Sequence, residues 1–249
     1  MLCTPNATYV LRKKSVGTLF ATAHMVEREY RVMTALAATD VPVPHTYLLC
    51  EDEAVIGTPF FVMAYLQGRL FWDAALPELS AAARTACYEE KIRVLAALHR
   101  VDVAAVGLSD YGKTGNYMAR QINRWSRQYV DAKTEEVASM DRLIAWLPAH
   151  MPDDDTSCLV HGDFRFDNMM FHPSESRVIG VLDWELSTLG HPLADLAYTC
   201  LPYHNPRTEG AVAEARTLAD IAGGDSGIPT ETEQVRRYCE LTGRSGIEH

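Results

Sequence analysis

The run His161-Gly162-Asp163-Phe164-Arg165-Phe166-Asp167-Asn168 gathers carboxylates, an amide and a guanidinium in one short stretch, and fourteen residues separate Asn168 from another carboxylate, Asp183. The run lies between strand-like stretches, so its polar groups sit on an ordered loop. Asp183 closes the apolar stretch Val178–Leu182 and is followed by Trp184-Glu185. This set suits phosphoryl transfer. One carboxylate orients an attacking hydroxyl and accepts its proton, while a side-chain carbonyl and a second carboxylate hold Mg²⁺ against nucleotide phosphates. Magnesium takes hard oxygen ligands and few of them from protein. Asp163, Asn168 and Asp183 offer these groups. A single Asp or Asn at a turn more often caps backbone amides; it is the ordered set that points to chemistry. His161 reads as a scaffold residue and Asp167 as a loop-bracing or solvated carboxylate. Arg165 suits a brace and a phosphate or substrate contact equally.

The elements that must position these residues follow from periodicity. Tyr9–Arg12 reads as a strand with Val10 and Arg12 on one face. Val26, Tyr30, Met33 and Ala37 recur at helical spacing within 22–37. Val41-Pro42-Val43-Pro44 is an extended connector. Tyr47–Cys50 and Pro59–Tyr65 read as strands separated by the acidic turn Glu51-Asp52-Glu53. After Gly68 the chain turns helical: Ala82–Val101, Tyr117–Tyr129 and Met140–Leu147 are amphipathic, with Trp125 and Trp146 as expected core anchors. Asn168–Phe171 and Val178–Asp183 form a β-like pair around Pro173–Ser176. Leu193–Cys200 is helical, with Pro192 in the favoured first turn. The expected fold class is α+β, with a small β-rich lobe at 1–65 and a larger helical lobe at 66–249 that embeds the catalytic hairpin.

Composition narrows the classes. The chain has 249 residues, 47% hydrophobic and 22% charged, with a formal net charge of −10; that is globular composition rather than disordered or disulfide-dense. No basic run exceeds Arg12-Lys13-Lys14, which argues against a nucleic-acid partner. No stretch approaches a membrane span, and the first residues lack a signal pattern. The six cysteines have no CxxC spacing; they read as reduced thiols of a cytoplasmic protein.

The segments VLRKK (10–14), EREYRVMTAL (27–36), VPVP (41–44), CEDEAVIGTPFFVM (50–63), VHGDFRFDN (160–168) and VLDWELSTLGHPLADLAY (181–198) resemble the aminoglycoside phosphotransferase/choline-kinase-like family. These are small-molecule kinases with a two-lobed, protein-kinase-like fold. Within it the sequence is most similar to the kinase domain linked to acyl-CoA dehydrogenases. The resemblance implies ATP and Mg²⁺ as cofactors, with Asp163 as base and Asn168 and Asp183 as metal ligands. It places Arg12 where kinases carry a phosphate-gripping lysine and Glu29 where they carry its partner, with Glu27 as rival. Arg in place of Lys substitutes a planar fork for a point charge. It also implies that backbone groups of Ala64 and Leu66 meet adenine, with Met63 packed behind the ring. Asp195 takes the position that braces the catalytic loop; His191 reads as a polar turn residue.

The implied acceptor is a small-molecule hydroxyl, a hydroxyacyl-CoA by that likeness. An aminoglycoside acceptor is the alternative enzyme reading, and a catalytically weak kinase-like binding module the alternative of another class. The likeness also implies an acyl-CoA dehydrogenase partner or fused domain in relatives. Relatives begin with a glycine-containing hairpin over the triphosphate, and Leu2–Thr8 is too short and glycine-free for two strands and a turn; further helices are expected after Leu241. Both ends therefore read as truncated.

Overall fold

Extended β-branched and aromatic runs near the N-terminus pair into one antiparallel sheet. In the computed structural model, which describes residues 1–14, 25–204, 218 and 220–247, strands β1 (Leu2–Cys3), β2 (Thr8–Lys13), β3 (Thr46–Cys50) and β4 (Phe60–Ala64) take the order β1-β2-β4-β3. Leu2–Thr8 holds one strand and a turn before β2, the strand that carries Arg12, begins at Thr8. Two residues suffice for β1, and Thr4 closes the turn with Ala7. Helix α1 (Val26–Leu36) lays Val26, Val32, Met33 and Leu36 on the sheet side, fully buried. The part of the expected helix before Met25 lies outside the described residues. Asp52 caps a one-turn helix, α2 (Glu53–Ile56), which ends at Gly57 in the left-handed conformation.

Beyond the sheet the chain is mostly helical: α3 (Ala81–His99), α4 (Tyr117–Ala132), α5 (Ala138–Trp146), α6 (Pro192–Cys200) and α7 (Glu231–Thr242). Ser80 caps α3, and Thr230 with Glu233 forms a capping box on α7. Helix α3 is the central post. Ile92 and residues 94–98 are buried, and its C-terminal His99 bonds the Tyr238 hydroxyl of α7 at 2.7 Å. Trp125 and Trp146 are not core anchors: they are 48% and 51% exposed. Each sits on the apolar face of an amphipathic helix, and periodicity reveals such a face without revealing what covers it.

Four short strands embed among the helices. β6 (Met169–Phe171) and β7 (Val178–Val181) form the expected hairpin, and β5 (Cys158–Val160) pairs with β8 (Thr188–Gly190), a pair too short to show as alternation. The connector ties the two parts together. Val181 N–H donates to Pro42 O at 2.8 Å. Arg28 of α1 donates to the carbonyls of Tyr111 and Ser187, at 2.8 and 3.3 Å, and stacks on the Tyr111 ring. The six cysteines are all free thiols, with Cys87, Cys158, Cys200 and Cys239 buried.

Candidate active site

The 161–168 loop is held from below by one buried carboxylate. Pro192 opens α6, and Asp195 in its first turn is buried with both oxygens engaged. Oδ2 accepts from His161 N–H at 2.7 Å and Oδ1 from Gly162 N–H at 2.8 Å. Burial pushes the Asp195 carboxyl up, but the hydrogen bond and charge of His99, with help from His161, outweigh it and hold the group below its ordinary value. Gly162 has φ +86°, and a β-carbon there would lie 2.9 Å from the Leu186 carbonyl oxygen, so the turn requires glycine.

His161 is scaffold, as its type and place suggested. It is buried. Its Nε2 faces the Leu182 carbonyl at 2.9 Å and must carry hydrogen, while Nδ1 accepts from Asp163 N–H at 3.2 Å; a neutral imidazole satisfies both. Asn168 N–H donors turn toward Asp163, meeting its backbone oxygen and its Oδ2 at 2.9 Å each. Both partners are acceptors, so the amide nitrogen faces them and the Asn168 side-chain oxygen faces away. Arg165 braces the loop: its Nε lies 3.2 Å from Asp163 Oδ1 and its Nη2 donates to Asp167 at 2.6 Å. Burial raises the Asp167 carboxyl above its usual range despite that cation.

The strand that leads into Asp183 is tied to Asn168 through the backbone. Leu182 N–H donates to Asn168 O at 2.8 Å, and Met169 pairs with Val181. Asp183 itself takes φ +63°, ψ +60°, a left-handed conformation that Asp tolerates better than most side chains. That turn delivers its carboxylate to Arg12. Nη2 of Arg12 donates to Asp183 Oδ1 at 2.9 Å and to Glu29 Oε1 at 3.1 Å, and lies 3.8 Å from Glu185. Glu29, not Glu27, is the partner: it is 2% exposed under the sheet. Burial dominates its titration and, with Asp183 and Glu185 nearby, lifts its carboxyl to about 6 against the pull of Arg12.

Met63 and Ala64 end β4, and Leu66 follows. Ala64 N–H donates to His45 O at 2.8 Å, so that donor is already spent. The Leu66 side chain packs on Gly180 of β7, where a β-carbon would collide with it. The connector and the hairpin that delivers Asp183 therefore share one surface.

The chain thus gathers Arg12, Glu29 and Asp183 in one cluster, Asp163 and Asn168 in another, and joins the two at Leu182. The donors fit a hard cation such as Mg²⁺. Asn168 presents a carbonyl oxygen whose nitrogen is already spent, and Asp183 engages Arg12 through one oxygen only. His191 caps α6 through Nδ1 instead of entering the cleft. Three neighbours went unassigned in the sequence. Glu185 lies two residues past Asp183. Tyr198 lies three past Asp195 on the same helix face, and its hydroxyl is raised by burial and by Asp163. Arg28 clamps α1.

Residues 2–232 match the phosphotransferase enzyme family. The chain is 48% identical over 240 residues to mouse acyl-CoA dehydrogenase family member 10, and 44% identical over 241 residues to human family member 11. Each match covers 96% of this chain but only 22% and 30% of the relative; the chain spans less than a third of their length. Among solved structures, one from Ralstonia eutropha JMP134, described as a "putative aminoglycoside phosphotransferase", superposes with a TM-score of 0.87 at 49% identity, covering 99% of this chain and 71% of that one.

Proposed function

The chain belongs to the phosphotransferase enzyme family, and on that premise we propose that it is an ATP- and Mg²⁺-dependent kinase of a small-molecule hydroxyl. Residues 1–65 would bind nucleotide and residues 66–249 would hold the acceptor. The observation that carries the reading is the pinned pair: Asn168 locks the Asp163 carboxylate while its own oxygen faces away, and the residue before Asp183, Leu182, is bonded to the Asn168 backbone.

In this reading Asp163 accepts a hydrogen bond from the acceptor hydroxyl and takes its proton as the new oxygen–phosphorus bond forms and the bond between the γ-phosphorus and the bridging oxygen breaks, leaving ADP. Asn168 and Asp183 would hold Mg²⁺, which when bound neutralises phosphate charge. Arg12, aimed by Glu29, grips the non-transferred phosphates. Met63, the Ala64 carbonyl and Leu66 line the purine. Because the loop is fixed by Asp195 and Asn168 before any ligand arrives, little reorganisation is needed at the moment of reaction.

The relatives' names carry the words acyl-CoA dehydrogenase, and this supports a hydroxylated acyl group as acceptor. Incubation with labelled ATP, Mg²⁺ and a panel of hydroxyacyl compounds and aminoglycosides tests the reading. Transfer to a hydroxyacyl compound, cut about 10²- to 10⁴-fold by Asp163→Asn, is the expected result. Transfer to an aminoglycoside alone would move the acceptor to that class, and absence of nucleotide binding would leave a kinase-like binding module.

A further inference from the structure

Beside Asp163 the 161–168 loop, α3 and α6 enclose a cavity of about 270 Å³. Its exposed rim carries Trp72, Arg165, Tyr198 and Leu201, and its buried interior Phe166 and Lys91. Lys91 is the unusual member. It is 3% exposed, next to buried Ile92 on α3, with Nζ 4.5 Å from the centroid of the Phe166 ring. Among the described residues no carboxylate forms an ion pair with it. The charged and titratable groups facing it are Asp167 and Arg165 from the loop, already bonded to each other at 2.6 Å, and the Cys200 thiol of α6.

An ammonium buried without an anion is costly, and burial pushes this one down to about 8. The remaining lining is largely aromatic and aliphatic. Two of the rim residues also address Asp163: Arg165 Nε lies 3.2 Å from Oδ1, and Tyr198 shares its α6 face with the loop and senses the same carboxylate. A molecule filling the cavity therefore meets a cation and the Phe166 ring inside and, at the rim, the two residues that reach toward the Asp163 carboxylate. The volume is at the small end of ligand sites, roughly 300 Å³ upward.

We propose that this cavity is the acceptor site and takes a small hydroxylated organic anion, with Lys91 binding its negative charge, its apolar body on Phe166 and Leu201, and its hydroxyl turned to Asp163. The inference rests on the kinase reading and narrows it. A free hydroxy acid completes the buried charge. A thioester presents a neutral carbonyl there, and a polycationic aminoglycoside presents the wrong sign.

The test titrates hydroxyhexanoates, with the hydroxyl walked along the chain, into the full chain saturated with a non-hydrolysable ATP analogue. A hexanediol, a hydroxyhexanoyl thioester and an aminoglycoside are the controls. At least one hydroxy acid is expected to bind, and to bind about tenfold or more weakly to Lys91→Met, the scale of one lost charge-assisted hydrogen bond. Lys91→Arg should recover part of that loss. Wild-type affinity for the acid should fall as pH rises through about 8, while that for the diol should not; this arm stands even where Lys91→Met fails to fold. Equal binding of the acid to wild type and Lys91→Met overturns the proposal, as does tighter binding of the thioester or the aminoglycoside. If the ATP analogue binds and no hydroxy acid does, the acceptor inference fails and the kinase reading stands. If the analogue does not bind, the kinase reading fails and takes the inference with it.

Discussion

Arg12 of β2 and Asp183 at the end of the β6–β7 hairpin, 171 residues apart in sequence, meet in a 2.9 Å hydrogen bond from Nη2 to Oδ1. The bond crosses the cleft and neutralises the carboxylate that the proposed mechanism gives to the metal. In the proposed mechanism nucleotide and metal would redirect Arg12 from Asp183 toward phosphate, with Glu29 as the fixed end of the lever. One guanidinium serves both carboxylates because its fork presents several donors at once.

Arg12→Lys keeps the charge and loses the fork. The expected result is a KM for ATP raised about tenfold, the cost of one charge-assisted contact, with kcat changed less. Steady-state kinetics at saturating acceptor measure it. A fall in kcat at unchanged KM would place Arg12 outside nucleotide binding.

Glu29 makes stability depend on pH in a predictable direction. Its folded carboxyl titrates near 6, above the ordinary 4.5. Between those values the folded chain holds a proton that the unfolded chain has released, so stability falls as pH rises through that window and levels off above it. The expected size is about 2 kcal/mol. Urea unfolding of wild type and Glu29→Gln across the window checks it: the difference between them should shift in favour of the variant by that amount as pH rises. A difference independent of pH would contradict it.

Asp195→Asn removes one of the acceptors that hold His161 and Gly162 and turns an amide N–H toward a backbone donor. The expected loss is about 3 kcal/mol of unfolding free energy, read in urea melts, together with slower transfer because Asp163 loses its fixed seat. Unchanged stability would mean that the loop does not depend on this brace.

The candidate catalytic loop was legible because its pattern is local: Asp163, Asn168 and their glycine stand within one loop, and their spacing survives without knowledge of the fold. The partner of Arg12 was harder. Glu27 and Glu29 both lie in the first turns of one helix, and only the seating of α1 on the sheet shows which is buried. Trp125 and Trp146 failed as core residues for the converse reason, since an apolar helix face is visible in sequence and its cover is not. Lys91 gave no signal at all: a lysine on a helix reads as solvated, and only the packing of α3 against the loop and α6 buries it. The strands β5 and β8 were too short for alternation to register.

Asp183 is the proposed anchor for a metal–nucleotide complex, and the kinase reading stands or falls with it. Calorimetric titration of a non-hydrolysable ATP analogue, with and without Mg²⁺, into wild type and Asp183→Asn tests this directly. The predicted result is that Mg²⁺ tightens binding to wild type by about tenfold or more and leaves the variant unchanged. The same Mg²⁺ effect in both proteins would contradict it.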